Sequence, residues 1–321
     1  MQAKIQRQAE IDRCKVVCKI YFEGQHLVVS YDEAIATNVE WAPHVYARNA
    51  EQYGVDITNK PCIEPFWLDT YRLNVKPNKP DIKICIAFPF EIALRLSCDL
   101  LKTYVEQGLS IIVVYDDGTL DFFRHDLARV PSRTANLITR ALKTKKAKML
   151  SDELNLCPKG REYFSQYEKI CLDIFTTLFV PPLCMPKTQS ATVSRLRRRD
   201  HLFPNYAQSG FWSDIVKREY KGSYILLECK NLNTLISPAE VDDASKYLTE
   251  KGIGLFGVII GRKRASKNAE KLQASKWNGK SEMIITLKDE DLLKMVELYE
   301  NQEDPSVVIQ EQIDKVKINV E

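Results

Sequence analysis

The run Ser223 to Lys230 (SYILLECK) is apolar until it closes on Glu228-Cys229-Lys230. Residues two apart on a strand share a face, so Glu228 and Lys230 point one way while Leu227 and Cys229 point the other. Two charges at the end of a buried strand are costly unless they pair or bind something. A magnesium ion held by the carboxylate, with the ammonium beside it, is one chemistry that suits them; a plain strand-end ion pair is the bland alternative. The acid-x-Lys spacing is weak by itself, since it also occurs at Asp81 to Lys83 and Glu219 to Lys221. Only Glu228 to Lys230 ends a long apolar strand.

A cation site needs further oxygen ligands, and three acids are candidates. Asp200 sits in RLRRRDHLF, which reads as a strand running into a turn at Pro204-Asn205. Asp214 lies closer to Glu228 in sequence, but inside Phe211 to Tyr220, whose spacing is helical. Asp200 is therefore preferred, with Asp214 the alternative metal ligand. Glu168 lies on the helix that precedes both.

The elements that must position these groups are legible as an α/β alternation. Gly160 to Phe179 predicts a long helix with Tyr167, Ile170, Cys171, Ile174 and Phe175 on one face. Ala191 to Phe203 reads as a strand or strand pair. Ser237-Pro238-Ala239-Glu240 carries a Ser cap, a Pro at the first helical position and a Glu three residues after the cap. That helix is expected to run to about Lys251 and close at Gly252. Strand Leu255 to Ile260, helix Lys267 to Trp277, strand Glu282 to Leu287 and helix Glu290 to Glu300 follow.

This order of a helix with Glu168, a strand with Asp200, a strand with Glu228-Cys229-Lys230 and a helix with Ser245, Lys246 and Tyr247 resembles the PD-(D/E)xK nuclease superfamily. The likeness is to its restriction-endonuclease-like (Mrr-like) branch and covers roughly residues 155 to 300. It implies a mixed central sheet flanked by helices and a Mg²⁺-dependent endonuclease, Mn²⁺ substituting, acting on DNA in restriction or anti-phage defence. Asp200, Glu228 and the backbone carbonyl of Cys229 would hold the ion, and Lys230 would orient or help deprotonate the attacking water. Glu168 would support a second ion or the water shell. A catalytically inactive nuclease-fold scaffold or nucleic-acid-binding protein, and an RNA-directed nuclease, are the alternatives. His201 reads as a solvated strand residue and Tyr247 as core.

Charge agrees with a nucleic-acid partner once it is divided. The 321 residues carry a net +3, yet residues 143–280 hold 25 basic and 14 acidic side chains, against 4 and 11 in residues 281–321. Arg197, Arg198, Arg199, Arg262, Lys263 and Arg264 supply much of this excess and are the candidate phosphate contacts. The near-balanced total argues against a histone-like binder, and nine cysteines without a CxxC pair argue against a zinc ribbon. With no apolar run of membrane-spanning length, a cytoplasmic protein without a membrane partner is expected. A homodimer suits cleavage of both strands.

The division falls at residue 142, giving an N-terminal α/β domain (1–142) of unassigned family and a nuclease-like domain (143–321) with an acidic helical tail. In the first, Lys83 to Phe88, Glu91 to Gln107 and Leu109 to Tyr115 read as a βαβ unit with parallel strands. Cys18 to Tyr31 reads as a hairpin, Val75 to Pro80 as a connection, Lys143 to Lys148 as the boundary, and Asp116-Asp117-Gly118 as a turn at a strand end. A sensor or targeting role for this domain, answering to an activating ligand or partner protein, is a guess by architecture.

Overall fold

The computed structural model describes residues 2–32, 42–61, 81–127, 131–188 and 201–320. The chain divides into two units, Met1–Lys143 and Thr144–Glu321, both of mixed α/β architecture.

The first unit begins with helix α1 (Gln2–Gly24) and holds a six-stranded sheet in chain order. Its strands are β1 (Val28–Tyr31), β2 (Val45–Arg48), β3 (Gln52–Ile57), β4 (Ile82–Pro89), β5 (Ser110–Val114) and β6 (Leu120–Phe123). The inner pairs β3–β4 and β4–β5 are parallel and the outer pairs antiparallel. The hairpin expected over Cys18 to Tyr31 is not formed. Cys14, Val17, Cys18 and Phe22 recur at helical spacing and are buried, so burial on one helix face overrides the strand-like look of the segment. The expected helix over Glu91 to Gln107 is divided. One turn covers Phe90–Ala93, and α2 (Cys98–Glu106) starts where Ser97 accepts a hydrogen bond from the Leu100 N–H at 3.1 Å. Asp116 to Gly118 forms the turn between β5 and β6, with Gly118 at φ +81°. Val75 to Pro80 lies outside the described residues.

Helix α3 (Pro131–Leu156) contains the whole basic run Lys143 to Lys148. In the second unit, α4 (Phe164–Phe179) precedes β7 (Lys187–Thr188), β8 (His201–Pro204) and β9 (Tyr224–Lys230). Then come α5 (Pro238–Ser245), β10 (Phe256–Gly261), α6 (Lys267–Lys280), β11 (Met283–Lys288), α7 (Asp289–Glu300) and α8 (Ser306–Ile318). The sheet order is β11-β10-β9-β8-β7, with β9 central. Strands β9, β10 and β11 are parallel, whereas β8 and β7 join antiparallel.

Each face of this sheet buries its own core. Ile225, Leu227 and Cys229 of β9, with Val258, Ile260, Ile285 and Leu287, pack against α4, α7 and α8. Leu226, with Leu202, Ile259 and Ile284, packs against Val241 and Ala244 of α5 and Ala269 of α6. The capping box at Ser237 and Glu240 is present, but α5 ends at Ser245 rather than near Lys251. Turns follow it to Gly252. The C-terminal segment is no mere tail, since Val308, Ile309 and Ile313 of α8 are fully buried.

Candidate active site

Central strand β9 delivers Glu228 and Lys230 to one face. Lys230 Nζ stands 3.3 Å from Glu228 Oε2, with Glu228 only 7% exposed and Lys230 half-buried. Their face is that of Leu226, covered by α5 and α6. Parallel pairing sets Ile259 beside Glu228 and Gly261 beside Lys230. The pair therefore opens at the carboxyl ends of two parallel strands, where α/β sheets present ligand sites.

Glu168 is brought elsewhere. Its Oε1 lies 3.2 Å from His201 Nε2, and both side chains are buried. His201 is paired across from Leu227, so it shares the face of Leu227 and Cys229, opposite to Glu228. His201 is therefore buried rather than solvated, against expectation, and the partner the structure gives Glu168 is its imidazole. Asp214, the alternative ligand, also lies on another element. Its Oδ2 accepts the Gly210 N–H at 3.1 Å, at the start of a π-helix, Trp212–Lys217. That helix packs through Trp212 and Val216 into the Leu227 side. Asp200, Arg197, Arg198 and Arg199 lie outside the described residues.

Arg262 does not reach solvent. Its side chain is 2% exposed, and the guanidinium lies 4.1 Å from the Tyr167 ring centroid. It donates to Asn231 Oδ1 (2.7 Å), Asp289 Oδ2 (3.0 Å) and the carbonyls of Cys157 (2.8 Å) and Pro158 (3.1 Å). Burial works most strongly against its charge, but the hydrogen bond to Asp289 and the charges around it, that of Asp289 first, together hold Arg262 above its ordinary range. Burial likewise pushes the Tyr167 phenol up, so it stays protonated and donates to Asp289 Oδ1 at 2.8 Å. A phosphate contact by Arg262 is therefore overturned. Lys263 and Arg264 are exposed.

Asn231 was not legible as a positioning group. Its amide donates to the carbonyls of Pro158 (3.1 Å) and Gly160 (2.9 Å), clamping the residue after Lys230 to the chain before α4. Its position directly after the E-x-K triplet is the only signal the sequence offers.

Among the described residues, no three His, Cys, Asp or Glu side chains gather closely enough to hold a metal ion. Glu228 and the Cys229 carbonyl are hard oxygen donors of the kind Mg²⁺ takes. The second acid of the expected set, Asp200, falls outside the described residues. No described helix is long and apolar enough to cross a membrane.

No protein-family model and no solved structure matches the chain. Over 167 residues it is 26% identical to the "Putative transposon gamma-delta 80.3 kDa protein" of Escherichia coli (strain K12). The alignment covers 51% of this chain and 23% of that relative, so the chain spans about a quarter of the protein it matches.

Proposed function

We propose that the second unit is a Mg²⁺-dependent endonuclease that hydrolyses phosphodiester bonds of DNA. The observation carrying this reading is the buried Glu228 paired with Lys230 at the carboxyl end of the central strand of a mixed sheet. A charged pair there has little value to the fold alone, whereas metal-assisted hydrolysis needs such a carboxylate and ammonium together. The similarity to a protein named for a transposon is in keeping with a DNA substrate.

Glu228, the Cys229 carbonyl and Asp200 would hold the ion, which when bound polarises the scissile phosphate. Lys230 orients the attacking water and favours its deprotonation. Attack in line on phosphorus then expels the opposite ester oxygen. Glu168 takes no part in holding the ion, and of the second basic cluster only Lys263 and Arg264 face the substrate.

Supercoiled plasmid incubated with the protein and Mg²⁺, beside an EDTA control and a Lys230→Ala variant, tests this reading. Cleavage should require the metal and fall roughly 10²–10⁴-fold in the variant, the usual range for a lost proton-handling group. Duplex substrates left intact with Mg²⁺, or a Lys230→Ala variant as active as the native protein, would sink the enzyme reading and favour a nucleic-acid-binding scaffold. Mn²⁺ should support cleavage in place of Mg²⁺.

A further inference from the structure

Strand β10 leaves the sheet at Gly261, beside Lys230. The loop that follows is tied to the loop after β9, where the Ile236 N–H donates to the Arg264 carbonyl (3.2 Å) and the Ser266 N–H to the Ile236 carbonyl (2.9 Å). Lys263 and Arg264 are thus fixed at the edge where Glu228 and Lys230 open. Helix α6 starts there, capped by Ser266, whose hydroxyl accepts from the Ala269 N–H.

The fully exposed residues from Lys263 to Lys280 are basic, small or neutral polar, and the one carboxylate in the segment, Glu270, is half-buried. The stripe runs through Lys263, Arg264, Lys267, Lys271, Ser275 and Asn278. Nearby Lys246 and Lys276 are tied to Asp243 and Asp242. By contrast, Lys263, Arg264, Lys267 and Lys271 have no ion pair among the described residues. On an α-helix Lys267 and Lys271 are about 6 Å apart along the axis, comparable with the step between phosphates on one strand.

We propose that this basic face of α6 is a phosphate track that holds the DNA backbone flanking the scissile bond. It leads away from the Glu228 and Lys230 edge. The proposal rests on the nuclease reading for the direction of the track, but its test does not depend on cleavage.

Fluorescence anisotropy with a labelled duplex in EDTA, across a series of NaCl concentrations, separates the two. Each phosphate contact contributes about 0.9 to the slope of log K against log salt. A Lys267→Ala/Lys271→Ala double variant should lower that slope by about 1.8 and weaken binding markedly at low salt, whatever the duplex sequence. Lys315→Ala, an exposed lysine of α8 on the other side of the sheet, should leave it unchanged. A double variant with the native slope and affinity overturns the track, as does a native protein that binds no duplex. Tighter binding of single-stranded RNA with the same dependence on Lys267 and Lys271 overturns DNA as its occupant. A protein that binds through these lysines yet never cleaves keeps the track and loses the nuclease reading.

Discussion

Arg262 and Arg264 are two residues apart in one basic cluster and face opposite fates. Arg262 is enclosed by Tyr167, Asn231, Asp289 and three carbonyls, and its removal strands the half-buried Asp289 carboxylate together with those carbonyls. Arg262→Ala should destabilise the second unit by about 3–5 kcal/mol, whereas Arg264→Ala should stay within about 0.5 kcal/mol. Urea denaturation of the two variants checks this, and equal midpoints would contradict the buried network. The sequence shows both as one cationic patch because nothing local marks burial. The partners that enclose Arg262 lie as far away as Leu154 and Asp289. Glu228 and Lys230 were legible for the converse reason: their environment is their own strand, and an apolar run broken by two charges is a local signal. The pairing of Glu168 with His201 has no such local signal, because its partner arrives from another element.

Among the elements, those whose signals are local were readable from residues alone. The capping box of α5 and the alternation of β9, β10 and β11 with helices fall in this class. Helix α1 and the division ahead of α2 were not, because burial against a sheet decides them. The π-helix Trp212–Lys217 is another such case, anchored by Asn205, whose amide donates to the carbonyls of Trp212 (2.8 Å) and Gly222 (3.0 Å). Gly254 holds a second tight junction, at φ +99° and with the Lys221 carbonyl oxygen crowding the place a Cβ would take. Both strain and clash oppose a side chain there. Gly254→Ala should therefore cost more than about 1 kcal/mol, read as a lower urea midpoint, while Gly279→Ala, with open space around it, should not.

For the whole molecule, titration separates the two units. In the first, the hydrogen bond from Arg124 holds the Asp126 carboxyl well below its ordinary range, with Lys83 adding to it. The bond from Lys83, then that from Tyr53, lowers Glu51. A carboxyl whose folded-state pKa is depressed stabilises the fold above its ordinary value near 4, and that contribution is lost as pH falls below it. The thermal stability of the first unit should accordingly fall as pH drops below about 4.5, and Asp126→Asn should flatten that dependence. An unaltered acid profile in the variant would refute the assignment. At the other end of the scale, burial pushes the Cys14 thiol up to about 11 and raises Cys18 and Cys85 as well. All three should resist iodoacetamide at pH 8 in the folded protein and react once it is denatured. The segregation of charge was legible by counting. What counting concealed is that the acidic C-terminal segment contributes α8 to the core of the basic unit.

The 3.3 Å contact between Lys230 and Glu228 means that the site carries its own counter-ion. On the nuclease reading, a divalent cation approaching Glu228 competes with an ammonium already in place, so the residue that serves turnover also taxes occupancy. Affinity and rate should then move in opposite directions on substitution. Lys230→Met is expected to bind Mn²⁺ more tightly in a titration than the native protein does, while cleaving DNA far more slowly. The same lysine that makes the ion useful keeps it exchangeable.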